Sequence, residues 1–227
     1  MIILTGASGG IGEAMLPYLC EMDEVVGIYK SSKPKTEANK RLSFVKLNLE
    51  NVEEVKLFVF KLKAKLSKVT LIHCAAAKID GLAAGYSLSD WDKVMNVNLK
   101  GNFVLTQALL PHMISEEWGR VIHISSKGGM SGEAGTLAYS TSKTGLLGMS
   151  RVIGKEYARF QITSNVLVLG TFETGMFLDL PEEHKEIIRN KIPAKKFGDV
   201  RNITSAVEFL IKADYVTASE IKIDGGM

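Results

Sequence analysis

Cysteine is almost absent, with only Cys20 and Cys74 in 227 residues. Two cysteines cannot make a disulfide framework, and neither stands in a metal-ligand spacing, so a reducing compartment is expected. Charge of one sign is also scarce: 28 Lys and Arg against 25 Asp and Glu leave a formal +3. A nucleic-acid binder gathers its cations on one face, and this surplus is too small to imply one. The densest basic stretch, KLKAKLSK at 61–68, reads as a solvated helix face. No apolar run approaches the roughly 18 residues of a membrane-spanning helix. The first residues carry neither the basic nor the apolar segment of a secretory signal. The expectation is a cytoplasmic protein that engages neither nucleic acid nor membrane.

What is present is material for a large core: 46% of residues are hydrophobic and 23% charged, which suits one domain over residues 1–227. No repeat, low-complexity segment or Pro/Gly/Ser linker divides it. Short runs rich in Val and Ile (MIIL, EVVGIY, LSFVKL, VTLIHCAAA, GRVIHISS, SNVLVLG and EIKIDGG) take turns with helical patterns at Ile11–Met22, Val52–Leu66, Asp90–Leu110, Ala138–Phe160 and Val200–Ala213. The runs are nearly continuous rather than alternating, as in strands buried on both faces. Right-handed crossovers then predict an α/β fold, a doubly wound, Rossmann-type parallel sheet of about seven strands with helices on both faces. Residues 171–196 break the rhythm after the sixth strand. Ligands of such sheets sit beyond the carboxyl ends of the strands, so this excursion is a candidate substrate lid, with Met176, Phe177, Leu178 and Ile187 available to cover an apolar substrate.

The first strand candidate runs straight into TGASGGIG at 5–12. Gly6 can take φ values closed to other residues, Gly10 admits a ligand close to the backbone, and Gly12 lets the helix pack tightly on the sheet. The free N–H groups at the helix start then suit a pyrophosphate.

Residues far downstream join this turn in one pattern. Thr5, Gly6, Gly10 and Gly12 fit T-G-x-x-x-G-x-G; WDKVMNVNLKG carries Asn98; GRVIHISS ends in Ser126; YSTSK gives Tyr139 and Lys143; and IDGG stands near the end. Over nearly its whole length the chain resembles the short-chain dehydrogenase/reductase family in its small, single-domain branch. Gly6, Gly9 and Gly12 also satisfy the G-x-x-G-x-x-G of the longer epimerase-type branch, but the chain has no residues for that branch's additional substrate domain.

The resemblance implies a dinucleotide held by Gly6, Ser8, Gly10, Ile11 and Gly12, with Asn48 and Leu49 flanking the adenine, Ala75 along the ribose, and Phe172 and Thr174 at the nicotinamide. Tyr29 stands where an NAD-type member carries Asp, and Lys30, Ser31 and Lys33 offer cations and a hydroxyl for a 2′-phosphate. NADPH is therefore expected over NADH, although Gly9 replaces the basic residue often found in the family's turn. The reaction implied is reduction of a ketone or aldehyde, with a 3-oxoacyl thioester as the substrate suggested by family frequency. The alternative is a non-catalytic dinucleotide sensor or scaffold of the same fold.

Tyr139 and Lys143 are four apart and share a helix face. A free phenol titrates at about 10, so useful acid–base chemistry near neutral pH needs on the order of 4 kcal/mol in favour of phenolate, part of it from the neighbouring ammonium. By resemblance Tyr139 protonates the carbonyl oxygen, Ser126 hydrogen-bonds it, Lys143 also holds the nicotinamide ribose, and Asn98 positions a relay water. Two departures stand out: HCAAA at 73–77 where the family has N-N-A-G, and Leu169-Gly170 where it has P-G. His73 and His123 read as strand residues and Cys74 as a small core residue. A homo-oligomer, tetramer or dimer, is implied through the helices bearing Asn98 and Tyr139, with Gly145, Gly148 and Gly154 allowing close helix contact.

Overall fold

The computed structural model describes residues 1–227 except for the side chain of Met176. Seven parallel strands form one sheet: β1 (Ile2–Thr5), β2 (Val25–Tyr29), β3 (Leu42–Lys46), β4 (Thr70–His73), β5 (Gly119–Ser126), β6 (Ile162–Leu169) and β7 (Glu220–Ile223). Their order is β3-β2-β1-β4-β5-β6-β7. β1, β4 and β6 are buried at every position, which is why their sequences lack the alternation of a half-exposed strand.

One face of the sheet is covered by α1 (Gly10–Met22) and α8 (Val200–Lys212), whose Met15, Leu16, Leu19, Ile203, Val207 and Leu210 pack on Ile2, Leu4, Ile72 and Leu167. The other face is covered by α2 (Val52–Leu62) and α4 (Gly101–Ser115), through Val55, Phe58, Leu105, Leu109 and Met113 on Ile3, Leu71 and Val121. After β5 come the short α5 (Lys127–Ser131) and then α6 (Leu137–Tyr157), which packs Leu147 against Val166 and Val168. The strand order reverses between β1 and β4, and a ligand crevice forms at such a point.

Several boundaries differ from expectation. The fourth strand ends at His73 rather than running on to Ala77, because the N–H groups of Cys74 and Ala75 donate to Thr5 Oγ1 at 3.0 and 3.1 Å. That hydroxyl ties the ends of β1 and β4 together at the crevice. The helix expected over 90–110 is α3 (Leu88–Met95), a π turn (Asn96–Lys100) and α4, which continues past Pro111 because Met113 extends its buried stripe. Such a wider turn re-aims side chains, and here it carries Asn98. The excursion after β6 contains a 3₁₀ turn (Gly175–Asp179) and α7 (Glu182–Lys191), with the nearly buried Lys185 ammonium held by Glu173 Oε1 at 3.2 Å and Leu178 O at 3.1 Å.

Candidate active site

A cleft of about 880 Å³ opens over the carboxyl ends of the central strands. At one end lies the glycine turn. Gly6 has φ +70°, and a Cβ there would stand 2.7 Å from Ala75 Cα, so the turn and the end of β4 are in backbone contact. The N-cap Gly9 offers no side chain to α1, and Gly10, Ile11 and Gly12 line the cleft. The first-turn N–H groups are thus available to an anion. Gly175 of the excursion closes over this turn, since a Cβ on Gly10 would meet Gly175 N at 2.8 Å.

The residues expected to contact a dinucleotide come together on this one cleft: Gly6, Ser8, Gly10, Ile11, Gly12, Tyr29, Lys30, Ser31, Asn48, Leu49, Ala75, Tyr139, Lys143, Phe172 and Thr174 all line it. Lys33 does not; Ser32 takes the wall position beyond Ser31. Lys30 is also not a free cation, because its ammonium pairs with Glu50. Sequence reading missed that carboxylate, which arrives from the loop after β3.

At the other end Tyr139 and Ser126 stand between the cleft and a smaller cavity of about 220 Å³, lined also by Lys78, Lys127, Glu133, Thr136, Leu169, Gly170, Thr171 and Met227. β5 delivers Ser126 at its last position and α6 delivers Tyr139 and Lys143 from its first two turns. Lys143 is 3% exposed, its Nζ donates to Ile124 O at 2.7 Å, and burial pulls it down to about 8. Nζ lies 5.8 Å from the centre of the Tyr139 ring.

One expectation is corrected. The protein's own groups push the Tyr139 phenol up, not down: burial outweighs the opposing pull of the Ser126 hydroxyl and the Lys78 ammonium, while Cys74 and Glu133 add to the rise. Lys143 donates to the Ile124 carbonyl rather than to the Tyr139 hydroxyl. Asn98 is wholly buried behind the cleft wall. Its Oδ1 accepts from Ala77 N at 2.6 Å, and its Nδ2 donates to Ala77 O and Ser142 Oγ at 2.9 Å each. The π turn aims this amide at the loop after β4, so Asn98 positions the cleft wall. Ser142, also missed, lies between Tyr139 and Lys143 in sequence, and its partner sits on another helix.

The departures at 73–77 acquire locations. Cys74 is half-buried and lines the cleft, its thiol pushed up to about 11 by the groups packed over it, and it is close enough to Lys143 for each charge to act on the other. His73 and His123 face each other in register on β4 and β5, stacked at 5.1 Å and sealed from solvent. Gly170 is needed where the chain has Leu169-Gly170, because a Cβ would meet Asp224 Cα at 2.7 Å. Leu178 and Ile187 are exposed and Phe177 packs edge-on against Phe197, so none of these three is shown lining the cleft or the smaller cavity; the side chain of Met176 lies outside the described residues. Gly145 and Gly154 serve packing within the chain, against Leu99 and Thr217, and only Gly148 faces open space.

The histidine pair carries a prediction. Burial holds both rings neutral, His123 down to about 3, with Lys143 opposing charge on each and His123 opposing it on His73. The unfolded chain takes up protons near pH 6.5 and the folded chain does not, so stability is full above that pH and is lost as pH falls below it. Between pH 7 and 5 the expected loss is about 4 kcal/mol for the two rings, read from urea unfolding, and His123→Gln should remove about half of it. Equal stabilities at the two pH values would contradict this. Lys143 adds a rise of stability from about pH 8 towards 10.5, where only the unfolded chain keeps its proton.

A family model described as short chain dehydrogenase matches residues 1–185. Nodulation protein G of Rhizobium sp. (strain N33) is 36% identical over 99% of this chain and 95% of its own. The 3-oxoacyl-[acyl-carrier-protein] reductase of Rickettsia bellii (strain RML369-C) is 34% identical over 99% and 95%. That of Aquifex aeolicus (strain VF5) is 33% identical over 99% and 96%. Among solved structures, "ElxO with NADP Bound" superposes with a TM-score of 0.89 over 99% of this chain and 97% of that one, at 22% identity. Its likeness concerns the fold. No helix among the described residues is long and apolar enough to cross a membrane.

Proposed function

The chain belongs to the short-chain dehydrogenase family, an oxidoreductase family, and from that premise we propose that it reduces a ketone or aldehyde to an alcohol with NADPH, Tyr139 acting as general acid. The observation that carries this reading is the position of Tyr139 and Ser126 between a dinucleotide-sized cleft and a smaller cavity. A carbonyl in the smaller cavity meets both hydroxyls on one side and the cofactor's ring on the other.

The residues fit such a cofactor: glycines bring the turn's backbone to the cleft, and the uncapped start of α1 suits its pyrophosphate. NADPH supplies a hydride and, once oxidised, a positive ring. Tyr139 gives its proton to the carbonyl oxygen as the hydride reaches the carbon. Ser126 donates a hydrogen bond to the same oxygen, where negative charge develops. Lys143, locked to the Ile124 carbonyl, presents its remaining N–H donors to the nicotinamide ribose. Protein groups alone push the phenol up, and a bound oxidised cofactor would supply a positive charge opposing that rise. Asn98 is a positioning residue here.

The Lys30–Glu50 pair bears on cofactor choice. A 2′-phosphate competes with Glu50 for the Lys30 ammonium, so Glu50→Gln is expected to tighten NADPH binding about fivefold and leave NADH within twofold. Titration of bound dihydronicotinamide fluorescence checks this, and a tighter NADH in the parent chain would overturn the NADPH assignment.

The 3-oxoacyl-[acyl-carrier-protein] reductases at 33 and 34% identity support a 3-oxoacyl thioester as substrate. A panel of carbonyl compounds with NADPH consumption as readout tests both substrate and catalysis; no consumption with any of them would favour a sensor or scaffold. We also propose a single domain over 1–227 with 171–196 as its lid, and a homo-oligomer through α4 and α6, on which Phe103 and Val152 are about half exposed. Sedimentation as a monomer would remove the oligomer.

A further inference from the structure

The basic run at 61–68 does not end in plain solvent. Beside it, between the edge strand β3 and α2, lies a groove of about 330 Å³ that shares only Leu47 with the active cleft. Val45, Leu57, Phe58 and Leu62 make its lining apolar, and Lys46, Lys61 and Lys65 stand around it. Among the described residues none of these three lysines has a carboxylate partner; the ion pairs of this region are Lys30 with Glu50 and Lys56 with Glu53. The one acid of the lining, Glu54, is engaged locally, its Oε2 accepting from Asn48 N at 3.2 Å and its Oε1 from Asn51 Nδ2 at 2.9 Å. The groove therefore joins an apolar floor to unneutralised positive charge. Leu57 is 50% exposed and Phe60 beside it 74%, so the apolar surface continues past the groove mouth.

We propose that this groove binds a single-chain amphiphile with an anionic head, a medium-chain carboxylate, its tail on Val45, Leu57, Phe58 and Leu62 and its head beside Lys61 and Lys65. The volume lies at the lower end of small-ligand sites, which run from about 300 Å³. Lys61, in the last turn of α2, and Lys65, in the 3₁₀ turn that follows it, both line the groove and bring two cations to one head group. The concavity selects a single chain over a bilayer, which would need the apolar residues on a convex face.

The test is calorimetric titration of the full chain with dodecanoate below its micelle concentration. One saturable site is expected, about fifteenfold weaker for decanoate, since each buried methylene is worth about fourfold. Dodecyltrimethylammonium should bind at least tenfold more weakly. The double substitution Lys61→Glu and Lys65→Glu, on exposed positions, should weaken dodecanoate about tenfold with the melting temperature unchanged. Leu57→Asp serves as a second variant acting on the floor. Saturating NADPH should leave a dodecanoate site in place. Equal affinity for the ammonium amphiphile, indifference to both variants, or loss of the site with NADPH would each overturn the proposal. Binding to phosphatidylglycerol vesicles without uptake of monomeric dodecanoate would assign the face to a membrane surface, and a variant-induced change in sedimentation without uptake would assign it to a second copy; either overturns it.

Discussion

Tyr139→Phe is expected to lower kcat by about a thousandfold while the NADPH dissociation constant stays within about twofold. The substitution removes one hydroxyl from a half-buried ring on α6, and the cleft keeps its glycine turn, its Lys143 and its walls. Without that hydroxyl the junction of the two cavities keeps only the hydroxyls of Ser126 and Thr171, both of high pKa, while Lys143 donates to the Ile124 carbonyl and Lys78 and Lys127 line the smaller cavity alone. The loss therefore falls on the chemical step. Single-turnover kinetics with a substrate found in the panel measure it, alongside a binding titration. Turnover within tenfold of the parent would contradict Tyr139 as the acid, whereas a parallel loss of NADPH binding would point to a collapsed cleft.

The second large effect is structural. A Cβ at Gly12 would stand 2.2 Å from Gly6 O and 2.9 Å from Gly6 C, both backbone atoms. Gly6 cannot retreat, because its own approach to Ala75 Cα is already that of a residue without a side chain. Gly12→Ala is expected to cost about 3 kcal/mol or more and to lower the melting temperature by roughly 10 °C. Gly9→Ala is the comparison. Its backbone is extended at φ −78°, its nearest neighbour to a Cβ is Gly6 O at 3.3 Å, and a change of under about 1 kcal/mol is expected. A Gly12→Ala protein melting within about 2 °C of the parent would refute this account of the turn.

The contrast between these glycines shows how far the motif was legible. Gly6 and Gly12 could be assigned from the sequence because a strand-turn-helix of that length forces a tight reversal. Gly145 and Gly154 could not be assigned to a partner surface, because a glycine on a helix permits close approach without naming what approaches; here it is Leu99 and Thr217 of the same chain. Lys30 was read as a cation but not as half of an ion pair, since Glu50 is twenty residues away and meets it only where β2 and β3 end side by side.

The candidate site divides in the same way. Tyr139 and Lys143 share a face by helical spacing alone, and Ser126 closes a strand whose bounds were plain from its apolar run. The reversal of the Tyr139 shift could not be read from spacing, because burial is a property of everything that packs around the ring. Nor could the position of Asn98, set by a π turn that no periodicity of the sequence marks.

By itself, then, the sequence determined seven strands, the buried character of the central ones but not of the edge strands β3 and β7, and the local turn chemistry, because those follow from periods of two to four residues and from backbone freedom at single positions. The tertiary structure alone decided which ammonium is paired, which thiol faces the cleft, which way the phenol's acidity moves and where an apolar groove meets free lysines. Charge and solvation act through space over several ångströms, and the chain order carries no record of those distances.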